Sequence, residues 1–350
     1  MTFLSLSKHL LFCAALALLS AAVVRGMIGL AVMDQPDARK AHRQPVPKGG
    51  GVGIVAAFLV GMGILYRFAE FSRLAGGYFV GVILAATAIA VVAFLDDLRD
   101  WPFSGKLAAQ VGAALFAVGS GLVVSDLNLP LFGPVALGWA GVPLTLGWIL
   151  FATNAMNFID GLNGLAAGVS VIACAVLAGI AAQAGGWFAY FAALLLAAGL
   201  LGFLPFNFPR ARIFMGDVGS QFCGFVLAVL AVVAGRFQGL DLSVLLVPLL
   251  LSGVLLDVAF TLVRRLLAGD RLTQAHRSHL YQVAHRAGMP ATQVTLVHWG
   301  FALWGGVCCA VFLAASGAMK PLVVLLVLPP QLAWLAYVTR RARRAGIGRW

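Results

Sequence analysis

Charge is the scarcest property of this chain. Of 350 residues only 24 are Lys or Arg and 12 are Asp or Glu, so charged side chains make up 10% of the sequence; soluble domains carry about a quarter. That scarcity excludes a soluble globular protein, and no polar stretch between the apolar runs is long enough to form a soluble domain. Cysteine is also rare. Cys13, Cys174, Cys223, Cys308 and Cys309 all lie in apolar runs without metal-ligand spacing. They read as small buried residues, with neither a disulfide nor a zinc site indicated. Internal repeats, low-complexity tracts and linkers are absent.

What fills the sequence instead is apolar, 62% of it. A membrane-crossing helix needs about 20 mostly apolar residues, and eleven such segments lie near 9–32, 51–66, 77–95, 107–125, 140–157, 165–183, 187–204, 218–235, 242–263, 293–316 and 321–338. Lys and Arg are retained on the cytoplasmic side. With the N-terminus outside, cytoplasmic loops and the tail hold eighteen of them, whereas Lys8, Arg67, Arg73, Arg236 and Lys320 fall outside. The expected fold is therefore an all-α polytopic membrane protein, a single domain over 1–350, with about eleven transmembrane helices, N-terminus outside and C-terminus cytoplasmic. A cleaved signal peptide is the rival reading of the first segment, but its apolar run continues through Met33 without an abrupt end, so it is read as a retained helix. The net charge of +12 follows from this topology and from contact with anionic lipid; nucleic acid is not needed to explain it.

Twelve carboxylates are few enough to place individually. Asp34 and Asp37 fall in the first cytoplasmic loop, Asp96, Asp97 and Asp100 in the second, Asp160 in the third, Asp217 in the fourth and Asp270 in the fifth, with Asp257 about two turns inside the ninth span. Only Glu70, Asp126 and Asp241 lie on the other side. Acids and bases gathered at one surface suit a metal-bound anionic substrate, which puts the expected active site on the cytoplasmic face.

Four stretches carry the detail. In NAMNFIDGLNG (154–164) an apolar helix runs into Asn154, Asn157, Asp160 and Asn163, the first three within a sector of about 120°, and Gly161 and Gly164 then break the helix. FLDDLRDWPFSGKLAAQ (94–110) sets two adjacent carboxylates where a span ends; a charged helix stop is the bland reading, a bound cation or proton the functional one. Lys106 and Gln110 follow on one helical face, suited to a phosphate oxygen. In FNFPRARIFMGDVGSQF (206–222) Asp217 stands between glycines before the eighth span, where an N-cap and a diphosphate site use the same geometry. The loops 34–53 and 269–286 are basic and carry histidine, as cytoplasmic loops often do, although His276, Arg277 and His279 within four residues are less ordinary. Asp257 reads as a structural partner of Arg264 or Lys106.

Taken in order, these motifs resemble the polyprenyl-phosphate N-acetylhexosamine-1-phosphate transferase family, which includes enzymes that initiate O-antigen and enterobacterial common antigen synthesis and the phospho-MurNAc-pentapeptide translocase. The similarity covers the whole chain: D-x-P-x-x-R-K-x-H (Asp34 to His42), D-D-x-x-D (Asp96, Asp97, Asp100), N-x-x-N-x-x-D-G (Asn154 to Gly161), F-M-G-D-x-G-S (Phe214 to Ser220) and the histidine loop His276 to His279. The resemblance implies a UDP-N-acetylhexosamine held through Mg²⁺, with Mn²⁺ as a substitute, and transfer of its sugar-1-phosphate to undecaprenyl phosphate in the bilayer, with release of UMP. It implies Asp217 as metal ligand and Asp96 and Asp97 as the pair activating the lipid phosphate. Asn154, Asn157, Asp160 and Asn163 become the nucleotide-binding turn, with Asp160 counted among the catalytic groups. Lys106, His276, Arg277 and His279 become phosphate or sugar contacts. A bacterial cytoplasmic membrane is the implied location; a homodimer is compatible, and the oligomeric state stays open.

Two departures bear on the substrate. Many members have Asp where this chain has Asn163, and Asn163→Asp is accordingly expected to be tolerated. HRSHLYQ stands where the translocase has a longer, proline-led histidine cluster, which favours the O-antigen-initiating branch and a GlcNAc, FucNAc or QuiNAc sugar. A secondary transporter is the alternative class, suggested by eleven spans and Asp257, but transporters place binding groups near the midplane. A CDP-alcohol phosphotransferase needs D-G-x-x-A-R, and Asp160-Gly161 is followed by Leu-Asn-Gly-Leu.

Overall fold

The computed structural model describes residues 3–30, 32–34, 45–68, 77–99, 101–129, 133–236, 242–271, 274, 276–315, 317–348 and 350. Asp37 and His42 of the first motif, Asp100 of the second, and Glu70, Arg73 and Asp241 lie outside them. Lipid offers the backbone no hydrogen-bond partner, so the apolar runs satisfy their own amides as helices. These are α1 (Phe3–Leu30), α2 (Gly51–Phe68), α3 (Gly77–Arg99), α4 (Phe103–Gly119), α5 (Gly141–Ile159), α6 (Leu165–Ala184), α7 (Trp187–Asn207), α8 (Gly216–Arg236), α9 (Leu246–Leu250), α10 (Ser252–Leu267), α11 (Leu280–Arg286), α12 (Ala291–Ala314) and α13 (Leu328–Arg344). Nine helical stretches among the described residues are long and apolar enough to cross a bilayer.

Each of the eleven expected segments is helical, but three differ in detail. The fourth is the short α4, 17 residues long. The ninth is two helices, α9 and α10, which break at Leu251 (φ −93°, ψ 9°), between Pro248 and Gly253. The eleventh begins as a 3-10 helix, Gly317–Val327, and becomes α-helical where Leu328, Pro329 and Pro330 open α13; proline lacks the amide that a helix interior requires and fits its first turn. Two short antiparallel pairs add strand to the all-helical expectation, β1 (Met33–Asp34) with β2 (Val46–Pro47) and β3 (Asp126–Leu129) with β4 (Gly133–Ala136).

The bundle is organised around α8, which is buried along almost its whole length, whereas α1 is largely exposed. Helices α2, α3, α5 and α7 pack on α8, α6 packs on α7 and α12, and α1 on α7 and α2. Where α2 crosses α8 the backbones touch: a Cβ on Gly51 would run into the Gly219 backbone, the small-residue contact by which membrane helices approach closely.

This packing brings one end of the bundle together. Gly50 N and Gly51 N donate to Phe214 O and Met215 O at 2.9 and 2.8 Å, and Phe214 N donates to Pro47 O at 2.8 Å. Thr295 Oγ1 and Trp299 Nε1, at the start of α12, donate to Asn163 O and Gly164 O at 2.9 and 3.0 Å. Arg341 Nε, late in α13, donates to Ala287 O at 3.0 Å. The connections after α1, α3, α5, α7 and α10 thus meet at a single surface, where the sequence had placed its acids and bases.

Candidate active site

At that surface a cavity of about 560 Å³ is lined by residues from five connections, among them Asp34, Lys48, Asp96, Asp97, Lys106, Asn157, Asp160, Asn163, Asp217 and Arg277. Its volume is that of a small-molecule site. Asp96, Asp97 and Asp160 end helices α3 and α5, while Lys106 and Asp217 begin α4 and α8, so residues remote in sequence converge because adjacent helices run in opposite directions.

Asp217 sits in the first turn of α8, where the helix dipole favours negative charge. Asn157 Nδ2 donates to its Oδ1 at 3.0 Å, and Lys106 Nζ and Gln221 Nε2 to its Oδ2 at 3.2 Å each. Lys106 also pairs with Asp96, whose other oxygen accepts Trp101 N at 2.7 Å. The neighbouring carboxylate does something different. Asp97 Oδ1 and Oδ2 accept Asp217 N and Val218 N at 3.2 and 3.1 Å, capping α8 from another helix. Gly216 permits this: it has φ +75°, and a Cβ there would stand 2.6 Å from Asp97 Oδ2.

Asp160, one residue past α5, lines the cavity, and its carboxyl accepts no hydrogen bond among the described residues. Burial, and then the Asp217 and Asp97 carboxylates, hold it well above the usual carboxylate range. A value above the unfolded-state one means that the native chain binds this proton more tightly. The stabilising contribution is present in acid and lost as pH rises through the native value. Asp160→Asn, which cannot ionise, is therefore expected to raise the melting temperature in EDTA by more as the pH moves from acid toward alkaline, while lowering transfer; a series of melts across that range checks the sign.

The other predicted residues divide. Asn157, Asn163, Lys106 and Arg277 line the cavity with the carboxylates; Asn154, His276 and His279 do not. Asn154 Nδ2 is engaged beneath the floor, donating to Gln110 Oε1 at 2.7 Å, and Gln110 in turn donates to Gln221 Oε1 at 3.0 Å. His279 is buried with Nδ1 3.4 Å from Asp257 Oδ1. His276 lies within hydrogen-bond distance of Ser278 Oγ and against the His279 ring; burial, followed by His279, Arg265 and Arg264, pushes it down to about 4, so it is uncharged near neutrality. Asp257 does not pair with Arg264 or Lys106. Arg264 donates to Ser278 O and lies over the Trp350 ring, and Lys106 is committed to Asp96 and Asp217.

Asn163 Nδ2 donates to Pro209 O at 3.2 Å, which changes the expectation for that position. A carboxylate would face the carbonyl with an acceptor, so Asn163→Asp is expected to lose about 0.5–1.5 kcal/mol of stability, read as a lowered melting temperature.

Five polar lining residues were not singled out from the sequence: Lys48, Asn207, Tyr281, Gln282 and His285. Tyr281 and His285 are four apart, one turn along α11, a spacing that could have exposed the shared face. Asn207 is buried and bonds backbone at both ends, accepting Gly164 N at 2.6 Å and donating to Ile213 O at 2.9 Å; nothing in its local sequence announces that.

A multi-pass helical bundle with carboxylates, amides and lysines around one cavity at the ends of its apolar helices is suited to a charged substrate met at a membrane surface. Residues 79–235 match glycosyl transferase family 4. The chain is 33% identical over 277 residues to a probable undecaprenyl-phosphate N-acetylglucosaminyl 1-phosphate transferase of Bacillus subtilis, covering 79% of this chain and 75% of that protein. To a decaprenyl-phosphate N-acetylglucosaminephosphotransferase of Mycobacterium tuberculosis it is 32% identical over 305 residues, 79% and 74% of the two chains. Similarity to a phospho-N-acetylmuramoyl-pentapeptide-transferase of Lacticaseibacillus paracasei, 32% over 222 residues, covers 62% of this chain and 66% of that one. The chain belongs to the polyprenyl-phosphate sugar-1-phosphate transferase family and is a phosphosugar transferase.

Proposed function

We propose that the protein transfers N-acetylglucosamine-1-phosphate from its UDP conjugate to undecaprenyl phosphate at the cytoplasmic face of a bacterial inner membrane, starting a lipid-linked envelope glycan. The observation that carries this reading is the position of the cavity: its five carboxylates and two lysines stand where apolar helices end, within reach of both a water-soluble nucleotide and a lipid phosphate. The excess of Lys and Arg in the loops at this end supports a cytoplasmic orientation. GlcNAc is favoured over FucNAc and QuiNAc by what the relatives covering most of the chain are named for, and HRSHLYQ fits that branch better than the pentapeptide transferases.

In the reaction an oxygen of the lipid phosphate attacks the sugar-bearing phosphorus, the bridging P–O bond breaks, and UMP leaves with the bond's electron pair. Asn157 and the turn to Asn163 hold the nucleotide, with Arg277 beside the phosphates. Lys106 and Lys48 draw the lipid phosphate to Asp96, which accepts its proton when it arrives singly protonated. The donor set suits Mg²⁺. The carboxylates offer oxygen donors, the class taken by an ion that binds through one or two carboxylates plus substrate phosphates. Asp217, with Asp160 across the cavity, would hold the ion, which when bound offsets charge on the diphosphate.

The test is to incubate purified protein with undecaprenyl phosphate and a panel of UDP-hexosamines and to weigh the lipid products. A mass matching undecaprenyl-diphospho-GlcNAc, with equimolar UMP and dependence on Mg²⁺ or Mn²⁺, is expected. Transport of an unmodified solute into vesicles without any lipid-linked product overturns the reading in favour of a transporter.

A further inference from the structure

Asp257 lies outside the cavity, buried two turns inside α10, an otherwise apolar stretch where a carboxylate is costly unless compensated. Its compensation is specific. Oδ1 accepts Leu280 N at 2.8 Å and Oδ2 accepts Tyr281 N at 3.1 Å, so both oxygens grip the first turn of α11, whose amides have no partner within their own helix. Thr261 Oγ1 donates to Oδ1 at 3.3 Å, and His279 Nδ1 lies 3.4 Å from the same oxygen.

Farther along α10 the chemistry is inverted. Arg264 donates to Ser278 O at 3.0 Å, and Arg265 to Gln274 O and Arg271 O at 3.1 and 2.7 Å. One helix thus holds the approach to α11 by its carbonyls and α11 itself by its amides. Helix α11 turns Tyr281, Gln282 and His285 toward the cavity. The Tyr281 hydroxyl donates to Phe158 O at 2.9 Å, two residues before Asp160, and occupies the space that a Cβ on Gly161 would need.

We infer that Asp257 is a positioning residue for the sugar-nucleotide half of the cavity: through α11 and Tyr281 it sets the wall against the Asn157–Asn163 turn without touching substrate. Asp96, Asp97 and Lys106 sit on α3 and α4 and share no hydrogen bond with Asp257 among the described residues, so the lipid-phosphate half is spared. The inference rests on the proposed function only in assigning the nucleotide to that turn.

The experiment uses the full chain in lipid nanodiscs, with UDP-GlcNAc affinity measured by calorimetry and KM measured separately for UDP-GlcNAc and undecaprenyl phosphate. Asp257→Asn keeps one acceptor and turns an amide donor toward a backbone N–H. It is expected to weaken UDP-GlcNAc binding about tenfold, leaving the KM for undecaprenyl phosphate at its wild-type value. Tyr281→Phe should lose about fivefold in the same affinity. The double variant should bind no worse than Asp257→Asn alone, because coupled residues are not additive. Unchanged affinity in a folded Asp257→Asn, equal rises in both KM values, or additive losses overturn the inference. Should Asp257→Asn fail to fold, Tyr281→Phe decides by itself: wild-type affinity there overturns it. A wild-type protein that binds UDP-GlcNAc but makes no lipid-linked product overturns the proposed function, and the affinities still judge Asp257. One that neither binds nor transfers overturns both.

Discussion

Asp217→Asn is expected to lower turnover at least about a hundredfold while the protein still folds. The substitution is nearly isosteric, and its remaining oxygen can still accept from Lys106 or Asn157, whose distances to the carboxylate are 3.2 and 3.0 Å. What disappears is a full negative charge at the start of α8, which would help to hold a divalent cation. Stability should move little, since α8 is held by Asp97 and by burial along its length rather than by Asp217. The measurement is kcat with Mg²⁺ titration, beside a thermal melt. Full turnover in this variant, or in wild type treated with EDTA, removes Asp217 from the metal site.

Asp96 and Asp97 should part company when each is changed to Asn. Asp96 touches Lys106 and the Trp101 amide. Its loss should lower kcat by roughly ten- to a hundredfold and raise the KM for undecaprenyl phosphate, with UDP-GlcNAc affinity kept. Asp97 holds two amides of α8, one of them that of Asp217 itself. An Asn there turns a donor toward one of these amides, at a cost of about 1–3 kcal/mol, and lets Asp217 drift. Asp97→Asn should therefore lower melting temperature, nucleotide affinity and turnover together. Kinetics against each substrate, with melts for both variants, check the split; identical profiles would mean that the pair acts as one unit.

The sequence pattern treats these two aspartates as equivalents, and this marks where sequence reading stops. Apolar runs of about twenty residues locate helices because lipid leaves the backbone no other option, and charge asymmetry then tells which loops share an end. Convergence of Asp96, Lys106, Asn157 and Asp217 was legible for that reason. The division of labour was not, because the partners of Asp97 and Asp257 are backbone amides 120 to 121 and 23 to 24 residues away, and an amide has no letter in a sequence. The histidines mislead in the same way: HRSH draws the eye, yet His279 is buried beside Asp257 with His276 packed on its ring, and it is His285 that reaches the cavity. Breaks such as that between α9 and α10 are equally hard to read, since Pro248 and Gly253 also occur in continuous membrane helices.

The contacts that close this cavity have a consequence for how the chain is made. Asp217 meets Asp97 across 120 residues, and Asn163 meets Thr295 across 132. Contacts so distant along the chain form late, and domains are synthesised from the N-terminus onward. When α8 has entered the bilayer, every carboxylate lining the pocket has already been made, but the wall from α11 and α12 has not. A nascent chain at that stage holds five acids and two lysines at a water-facing vestibule with no roof. Two fragments divided between α8 and α9 would each be inactive and should regain transfer when co-expressed, with α12 docking through Thr295 and Trp299.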